Sequence, residues 1–152
     1  MNILIINGPN LNLTGKRNTA QYGTRSMEQI VLDLQIHHPS CQLTYFQSNH
    51  EGALIDRLQE AGIRNEDTDN YPYDAIVINP GGLCHTSVSL RDTVEWLREN
   101  KVNVIEVHLS HIREREPFRQ HSLLTDVCTE TFYGLDAYEK AVSYIESFGI
   151  DA

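Results

Sequence analysis

The chain has 152 residues, of which 40% are hydrophobic and 22% charged, and its formal net charge is −9. This length predicts one domain, residues 1–152, with a single hydrophobic core. The acidic balance argues against nucleic acid or an anionic lipid surface as the main partner. The longest apolar runs are too short to span a bilayer, so no membrane association is expected.

Cysteine usage and the amino terminus bear on the cellular location. Cys41, Cys84 and Cys128 are widely scattered and form no CxxC pair. This spacing is typical of reduced thiols and not of a disulfide framework or a zinc site. Met1 leads directly into a short apolar run without a basic flank, which predicts that no secretory signal is present. Together these features indicate a cytoplasmic protein.

Short apolar runs, often β-branched, alternate with segments of helical spacing along the chain. In chain order they predict a strand at Ile3–Ile6, a helix around Met27–Leu34, a strand at Leu43–Phe46, a helix around Leu54–Ala61, a strand at Ala75–Ile78, a helix around Val88–Leu97, a strand at Val102–Val107, a short helix within 113–124, a strand at Val127–Phe132 and a helix around Ala137–Ile145. The alternation favours a parallel sheet.

Several residues mark the ends of the predicted helices. Ser26 followed three residues later by Gln29 predicts a capping box at the start of the first helix. Asn49 is the predicted cap of the second helix, and Gly62 is its predicted end.

The predicted architecture follows from the alternation of strands and helices. Right-handed crossovers place helices on both faces of a parallel sheet, and near-continuous apolar strands agree with that burial. We therefore expect an α/β protein, a three-layer flavodoxin-like sandwich with a five-stranded parallel sheet of order 2-1-3-4-5. In such sheets, ligands bind beyond the carboxyl ends of the strands.

Polar segments follow the first four predicted strands, so they fall on that same edge of the sheet. They lie at 7–23, 47–52, 79–87 and 108–119. Each segment taken alone is typical of a turn, but four on one edge favour a polar reaction site. Arg113, Arg115 and Arg119 suggest a small anionic ligand there, whereas on their own they are typical of a solvated charge run.

The residue types at this edge restrict the chemistry. The chain contains no HExxH, GxSxG or GxxxxGK[ST] motif, which argues against a metal site and against the common hydrolase and nucleotide sites. Arg, Tyr, His and Asn suit proton transfer next to a carbonyl group. A free tyrosine is ionised to only about a thousandth at neutral pH, and a guanidinium such as Arg17 would favour the phenolate of Tyr22. Alternatively, Tyr22 only fills a turn before Gly23.

Seven segments together resemble the type II 3-dehydroquinate dehydratase family over nearly the whole chain. They are Asn7–Leu13, Arg17 with Tyr22-Gly23, Gln47–Gly52, Asn79–Gly82, His85–Asp92, Ile105–Ser110 and Arg115–Ser122. The resemblance implies a single catalytic domain that removes water from 3-dehydroquinate by anti elimination through an enolate, giving 3-dehydroshikimate. It implies no cofactor and no metal.

The resemblance also implies a catalytic role for each matching residue. Tyr22 would remove the proton next to the ketone as a phenolate favoured by Arg17, and Asn10 would hold a water that stabilises the enolate. His108 would protonate the departing hydroxyl group, with Glu106 orienting its ring.

The remaining residues implied by the resemblance bind the substrate. Asn79, Leu109 and Ser110 would meet the carboxylate, and His85 and Arg119 the ring hydroxyls. Arg115 would approach Tyr22 and the substrate, and Asp92 would reach a neighbouring subunit's site. The implied assembly is a homododecamer, a tetramer of trimers.

The chain departs from the usual family pattern in the predicted lid, Leu13–Thr24. Asn18-Thr19 stands where Glu-Pro is usual, and losing the proline predicts a looser lid with slower or weaker closure. Cys84 stands where Thr is usual and is predicted to be a small buried hydrophobe.

Two other functions are weighed against the lyase. A flavodoxin-like signalling or FMN-carrying module is disfavoured, because the acidic residues of a phosphoacceptor site and a Ser/Thr-rich first loop are both missing. A non-catalytic regulatory subunit has support only from the altered lid. Whether the enzyme would serve aromatic biosynthesis or quinate breakdown is left open by the sequence.

Overall fold

Five parallel strands form the centre of the molecule in the computed structural model, which describes residues 1–149. They are β1 (Asn2–Asn7), β2 (Gln42–Gln47), β3 (Ala75–Asn79), β4 (Asn103–His108) and β5 (Glu130–Tyr133). Their order is β2-β1-β3-β4-β5, and every neighbouring pair is parallel. The predicted fold class and strand order are therefore confirmed.

Helices cover both faces of this sheet. They are α2 (Met27–His37), α3 (Glu51–Ala61), α4 (Val88–Glu99) and α5 (Ala137–Gly149), while α1 (Thr19–Tyr22) is a single helical turn in the segment between β1 and α2. Ile3 and Ile5 of β1 pack in a core with α2 and α5, while Leu4 and Ile6 pack in a second core with α3 and α4. Successive strand residues point to opposite faces, so a strand covered on both sides is apolar throughout.

The predicted helix ends are correct in two cases and wrong in one. Ser26 and Gln29 form the capping box of α2, with N···O distances of 3.2 and 2.9 Å. Gly62 follows the last residue of α3 as predicted. The predicted cap Asn49 is wrong: α3 begins after His50, and the Asn49 side chain instead accepts the backbone N–H of Asn10 at 2.9 Å.

The region before β5 also differs from the prediction. The strand begins at Glu130, three residues after the predicted start at Val127. Val127 and Cys128 are buried in the turn before it and pack in the core with α3 and α4. Their apolar character therefore reflects core packing and does not mark a strand. The short helix predicted within 113–124 takes the form of two 3-10 turns, at Ile112–Glu114 and Pro117–Arg119.

Close backbone contact joins the loops that follow β1 and β3. A Cβ atom on Gly8 would lie 2.4 Å from the Pro80 carbonyl oxygen, and one on Gly81 would lie 2.9 Å from the Pro9 carbonyl oxygen. Gly81 also has a φ of 60°, in the region that favours glycine. These glycines let the two loops meet beside the carboxyl end of β4. None of the helices within residues 1–149 combines the length and apolar character needed to cross a membrane.

Candidate active site

A cavity of about 240 Å³ lies at the carboxyl ends of β1, β3 and β4. Its lining includes most of the residues selected from the sequence: Asn10, Arg17, Tyr22, Asn79, His85, His108, Leu109, Ser110, Arg115 and Arg119. Glu106 lies directly behind this lining. Parallel strands end on one edge of the sheet, which explains why residues so distant in the chain meet here.

Tyr22 lies at the end of α1 close to two arginines. The guanidinium carbon of Arg17 is 4.4 Å from the centre of the Tyr22 ring, and that of Arg115 is 5.5 Å from it. Arg17 comes from the same loop, and Arg115 from the segment after β4. Guanidinium groups at this distance interact with the π face of an aromatic ring.

His108 is held by Glu106 two residues earlier on the same face of β4. Nε2 of His108 lies 2.7 Å from Oε2 of Glu106, and both side chains are buried. Within residues 1–149, Nδ1 of His108 has no hydrogen-bond partner. Because His108 lines the cavity, Nδ1 is the ring nitrogen available to a ligand.

Glu106 is a fully satisfied buried carboxylate. Besides His108, it accepts hydrogen bonds from the hydroxyls of Thr125 at 2.7 Å, Thr131 at 3.1 Å and Ser122. Burial alone would raise its pKa, but the bonds from His108, Ser122 and Thr125 outweigh burial and hold the pKa below its ordinary value. An ionised Glu106 only accepts, so the proton on Nε2 of His108 faces it.

Asn79 belongs to a buried network that the sequence did not reveal. Its Nδ2 donates to the Tyr138 hydroxyl at 3.1 Å, and that hydroxyl donates to Oδ1 of Asn7 at 2.7 Å. The Gly81 N–H donates to Oδ1 of Asn79 at 3.2 Å. These bonds fix the orientation of the Asn79 amide. The one signal for Tyr138 in the sequence is a hydroxyl within the apolar stripe of the last helix.

Asn10 is positioned by Asn49, which was predicted to cap the second helix, and through it by Gln47. Its φ is 72°, a left-handed conformation that asparagine tolerates better than most residues. Asn49 accepts its N–H, and Gln47 donates to the same Asn49 oxygen and to the Gly8 carbonyl, each at 3.2 Å. The predicted cap residue therefore fixes the first loop to the second.

Nε of Arg115 is buried and has no hydrogen-bond partner within residues 1–149. Nε of Arg119 lies 2.7 Å from a carboxylate oxygen of Glu116 and forms an ion pair with it. Buried donors are nearly always paired. Since Arg115 lines the cavity, its unpaired donor favours an anionic ligand there.

Of the residues selected from the sequence, Asp92 and Glu106 are not part of the cavity lining. Asp92 is exposed on α4 beside Ile63 and Trp96, away from the cavity of its own chain. Cys84 is completely buried beneath His85, and burial raises its thiol pKa to about 12; its predicted character as a small buried hydrophobe is confirmed. Within residues 1–149, no three His, Cys, Asp or Glu side chains are grouped to hold a metal ion.

Comparison with known proteins gives one consistent result. The family model "Dehydroquinase class II" matches residues 1–146. The 3-dehydroquinate dehydratase of Janthinobacterium sp. (strain Marseille) is 46% identical over 147 residues, covering 94% of each chain. The catabolic 3-dehydroquinase of Podospora anserina is 42% identical over 143 residues, covering 90% of this chain and 86% of that protein. The crystal structure of the type II dehydroquinase from Butyrivibrio crossotus matches with a TM-score of 0.85 and 38% identity, covering 96% of this chain and 97% of that one.

Proposed function

Because the chain belongs to the class II dehydroquinase family, we propose that it is a lyase that converts 3-dehydroquinate to 3-dehydroshikimate and water in the shikimate pathway. The observation that carries this proposal is the pairing of two different proton-transfer groups in one small cavity. Two guanidinium groups lie within 5.5 Å of the centre of the Tyr22 ring, and His108 is oriented by an ionised carboxylate.

Tyr22 is the base of the proposed reaction. Its phenolate takes the proton from the carbon next to the ketone, and the electron pair of that C–H bond forms an enolate. The positive charges of Arg17 and Arg115 favour the phenolate. Asn10, held by the loop contacts described above, orients a water toward the enolate oxygen, so the charge develops where donors already point.

His108 is the acid of the second step. The enolate reforms the ketone and pushes out the hydroxyl group, which leaves as water with a proton from Nδ1 of His108. Glu106 keeps Nε2 protonated and stabilises the ring while its charge changes. The product has a carbon–carbon double bond conjugated with its ketone. Base and acid are separate groups because the proton and the hydroxyl leave from opposite faces.

Binding of the substrate carboxylate orients the reaction. We assign that contact to the Asn79 amide and to the backbone N–H groups of Leu109 and Ser110. His85 and Arg119 hold the ring hydroxyls, and Arg115, next to the Ser110 hydroxyl at 3.2 Å, adds positive charge. Fixing the ring at several points makes proton transfer an oriented intramolecular step.

We further propose a homododecamer, a tetramer of trimers, in which Asp92 approaches the cavity of a neighbouring subunit. The exposure of Asp92 and its position beside Ile63 and Trp96 on a partly apolar surface support a role at an interface. A single catalytic domain and a cytoplasmic location complete the proposal.

The test is a direct assay with the chelator-treated protein. Addition of 3-dehydroquinate should raise the ultraviolet absorbance as the conjugated enone forms. Prior exposure to borohydride with substrate, followed by its removal, should leave the activity intact, because no imine forms. Tyr22→Phe should nearly abolish turnover, whereas Tyr144→Phe, which removes a tyrosine hydroxyl on α5 outside the cavity, should not.

Absence of turnover in a folded, assembled sample would contradict the proposal. The non-catalytic regulatory function would then be the better explanation of the site.

A further inference from the structure

The His108 ring is stacked on an aromatic side chain that the proposed mechanism does not use. His108 ends β4 and Tyr133 ends β5, and the two residues are directly paired in the sheet register. Their ring centres are 5.6 Å apart, and their planes differ by 15°. The half-buried Tyr133 side chain is not part of the cavity lining. It therefore contacts the proposed acid without reaching the substrate position.

The hydrogen bond to Glu106 does not by itself fix the plane of the His108 ring. Rotation about the bond between Cβ and the imidazole has broad energy minima, and one hydrogen bond at Nε2 still permits the ring to tilt about that contact. A parallel aromatic face limits the tilt and so fixes the direction of Nδ1.

Tyr133 is itself held in place. The guanidinium carbon of Arg113 lies 5.7 Å from the centre of the Tyr133 ring. Glu106, on the same face of β4 as His108, is fixed by hydroxyls that include Thr131, two residues before Tyr133 on the same face of β5. Strand β5 thus supports both members of the His108–Glu106 pair.

We propose that Tyr133 is a positioning residue that sets the plane of the His108 ring for proton delivery, with Arg113 restraining Tyr133. The proposal rests on the assignment of His108 as the acid. It deepens that assignment by adding an aromatic support on the side of the imidazole away from the substrate.

Kinetics of matched variants test the proposal. Tyr133→Leu should lower kcat about three- to tenfold, in line with the usual energy of an aromatic stack, and leave KM within about twofold, because substrate contacts are intact. Tyr133→Phe keeps the stacked ring, so its kcat should stay near the wild-type value. Phe132→Leu removes the neighbouring aromatic residue, which packs on Tyr144 and not on His108, and should affect stability but not kcat.

A double-mutant cycle separates positioning from a general structural effect. In a His108→Ala background, Tyr133→Leu should produce no further loss of kcat, because the group it positions is gone. A loss of equal size in both backgrounds would overturn the proposal, as would a Tyr133→Phe enzyme as slow as Tyr133→Leu.

A measurement without turnover keeps this proposal distinct from the proposed function. In the folded protein, the NMR signals of the His108 ring protons should shift in Tyr133→Leu, which lacks the ring current, and stay near their wild-type positions in Tyr133→Phe. Unchanged signals in Tyr133→Leu would refute the stack itself. A wild-type protein with the stack but no turnover would refute the lyase assignment instead.

Discussion

The guanidinium carbon of Arg17 lies 4.4 Å from the centre of the Tyr22 ring, and both residues belong to the segment between β1 and α2. Their contact depends on how this segment folds, whereas Arg115 approaches the same ring from the segment after β4. The environment of the proposed base is thus assembled from two independent parts of the chain.

Arg17→Met should lower kcat by about 100-fold, within the usual range for general base catalysis. The variant loses both the charge that favours the phenolate and the planar group on the ring. Arg17→Lys retains the charge but not the planar stack and should be intermediate. Steady-state assay of enone formation measures both effects.

Arg25→Met is the matched control, because Arg25 pairs with Asp33 at 2.6 Å outside the cavity. It should leave kcat unchanged. Equal rates for wild type and Arg17→Met would remove Arg17 from the proposed mechanism.

The Glu106 carboxylate should make the protein sensitive to acid. Its pKa in the folded state lies below the ordinary value because the hydrogen bonds from His108, Ser122 and Thr125 outweigh the opposing effect of burial. A carboxylate whose pKa is lower in the folded state stabilises that state at every pH above its unfolded-state pKa of about 4.3. This contribution to the free energy of unfolding is lost as the pH falls through the folded-state pKa. The free energy of unfolding should therefore decrease below about pH 4.

Glu106→Gln should be less stable near neutral pH and should lose less stability on acidification. Urea unfolding between about pH 6 and about pH 3 measures this difference. Asp126→Asn is the control: the hydrogen bond from Arg91 is the main cause of its lowered pKa, but this carboxylate is exposed, so its effect should be much smaller. An unchanged pH dependence in Glu106→Gln would contradict the assigned ionisation.

Cys84 should be unreactive in the folded protein despite its position beneath His85. Burial raises its pKa to about 12 and also raises those of Cys41 and Cys128, so thiolate is scarce in all three. A disulfide reagent at mildly alkaline pH should label no cysteine until denaturant is added. Rapid labelling of Cys84 with loss of activity would instead identify an accessible thiol at the cavity.

Much of the fold was predictable because strands that are buried on both faces are uninterrupted apolar runs in the sequence. Ala75–Ile78 is apolar without interruption, and its polar continuation at Asn79 marks the strand end at the site. Val127 and Cys128 are also apolar but are buried in a turn. A prediction from hydrophobicity alone therefore placed the start of β5 too early. Pairing in the sheet, and not composition, decides that boundary.

The supporting contacts of the site were less predictable than the lining itself. Tyr138 looked like one more residue of an apolar helix, and Asn49 had the residue type and position of a helix cap. Their hydrogen bonds to Asn79 and to Asn10 join residues that are 59 and 39 positions apart. Local propensity carries no information about such contacts, which exist only once the strands are arranged.

Asn18 adopts a left-handed conformation, with φ 32° and ψ 63°, immediately before α1. Its side chain donates to Gln21 at 3.0 Å, and its carbonyl accepts the Tyr22 N–H at 3.0 Å. A proline at position 19 would push residue 18 toward extended geometry, so the Asn18-Thr19 pair and this conformation belong together. Asparagine tolerates the left-handed region, whereas alanine there costs roughly 1–2 kcal/mol.

Asn18→Ala should therefore misplace Tyr22 and lower kcat/KM about tenfold, as a penalty of that size implies. Asn18→Gly permits the same backbone geometry and should stay closer to wild type, losing only the bond to Gln21. Hydrogen exchange across residues 13–24 measures the same segment directly. The predicted loose lid requires fast exchange without ligand and protection when a non-reactive substrate analogue binds. Equal protection in both states would show that the segment is already ordered and that its closure does not limit the reaction.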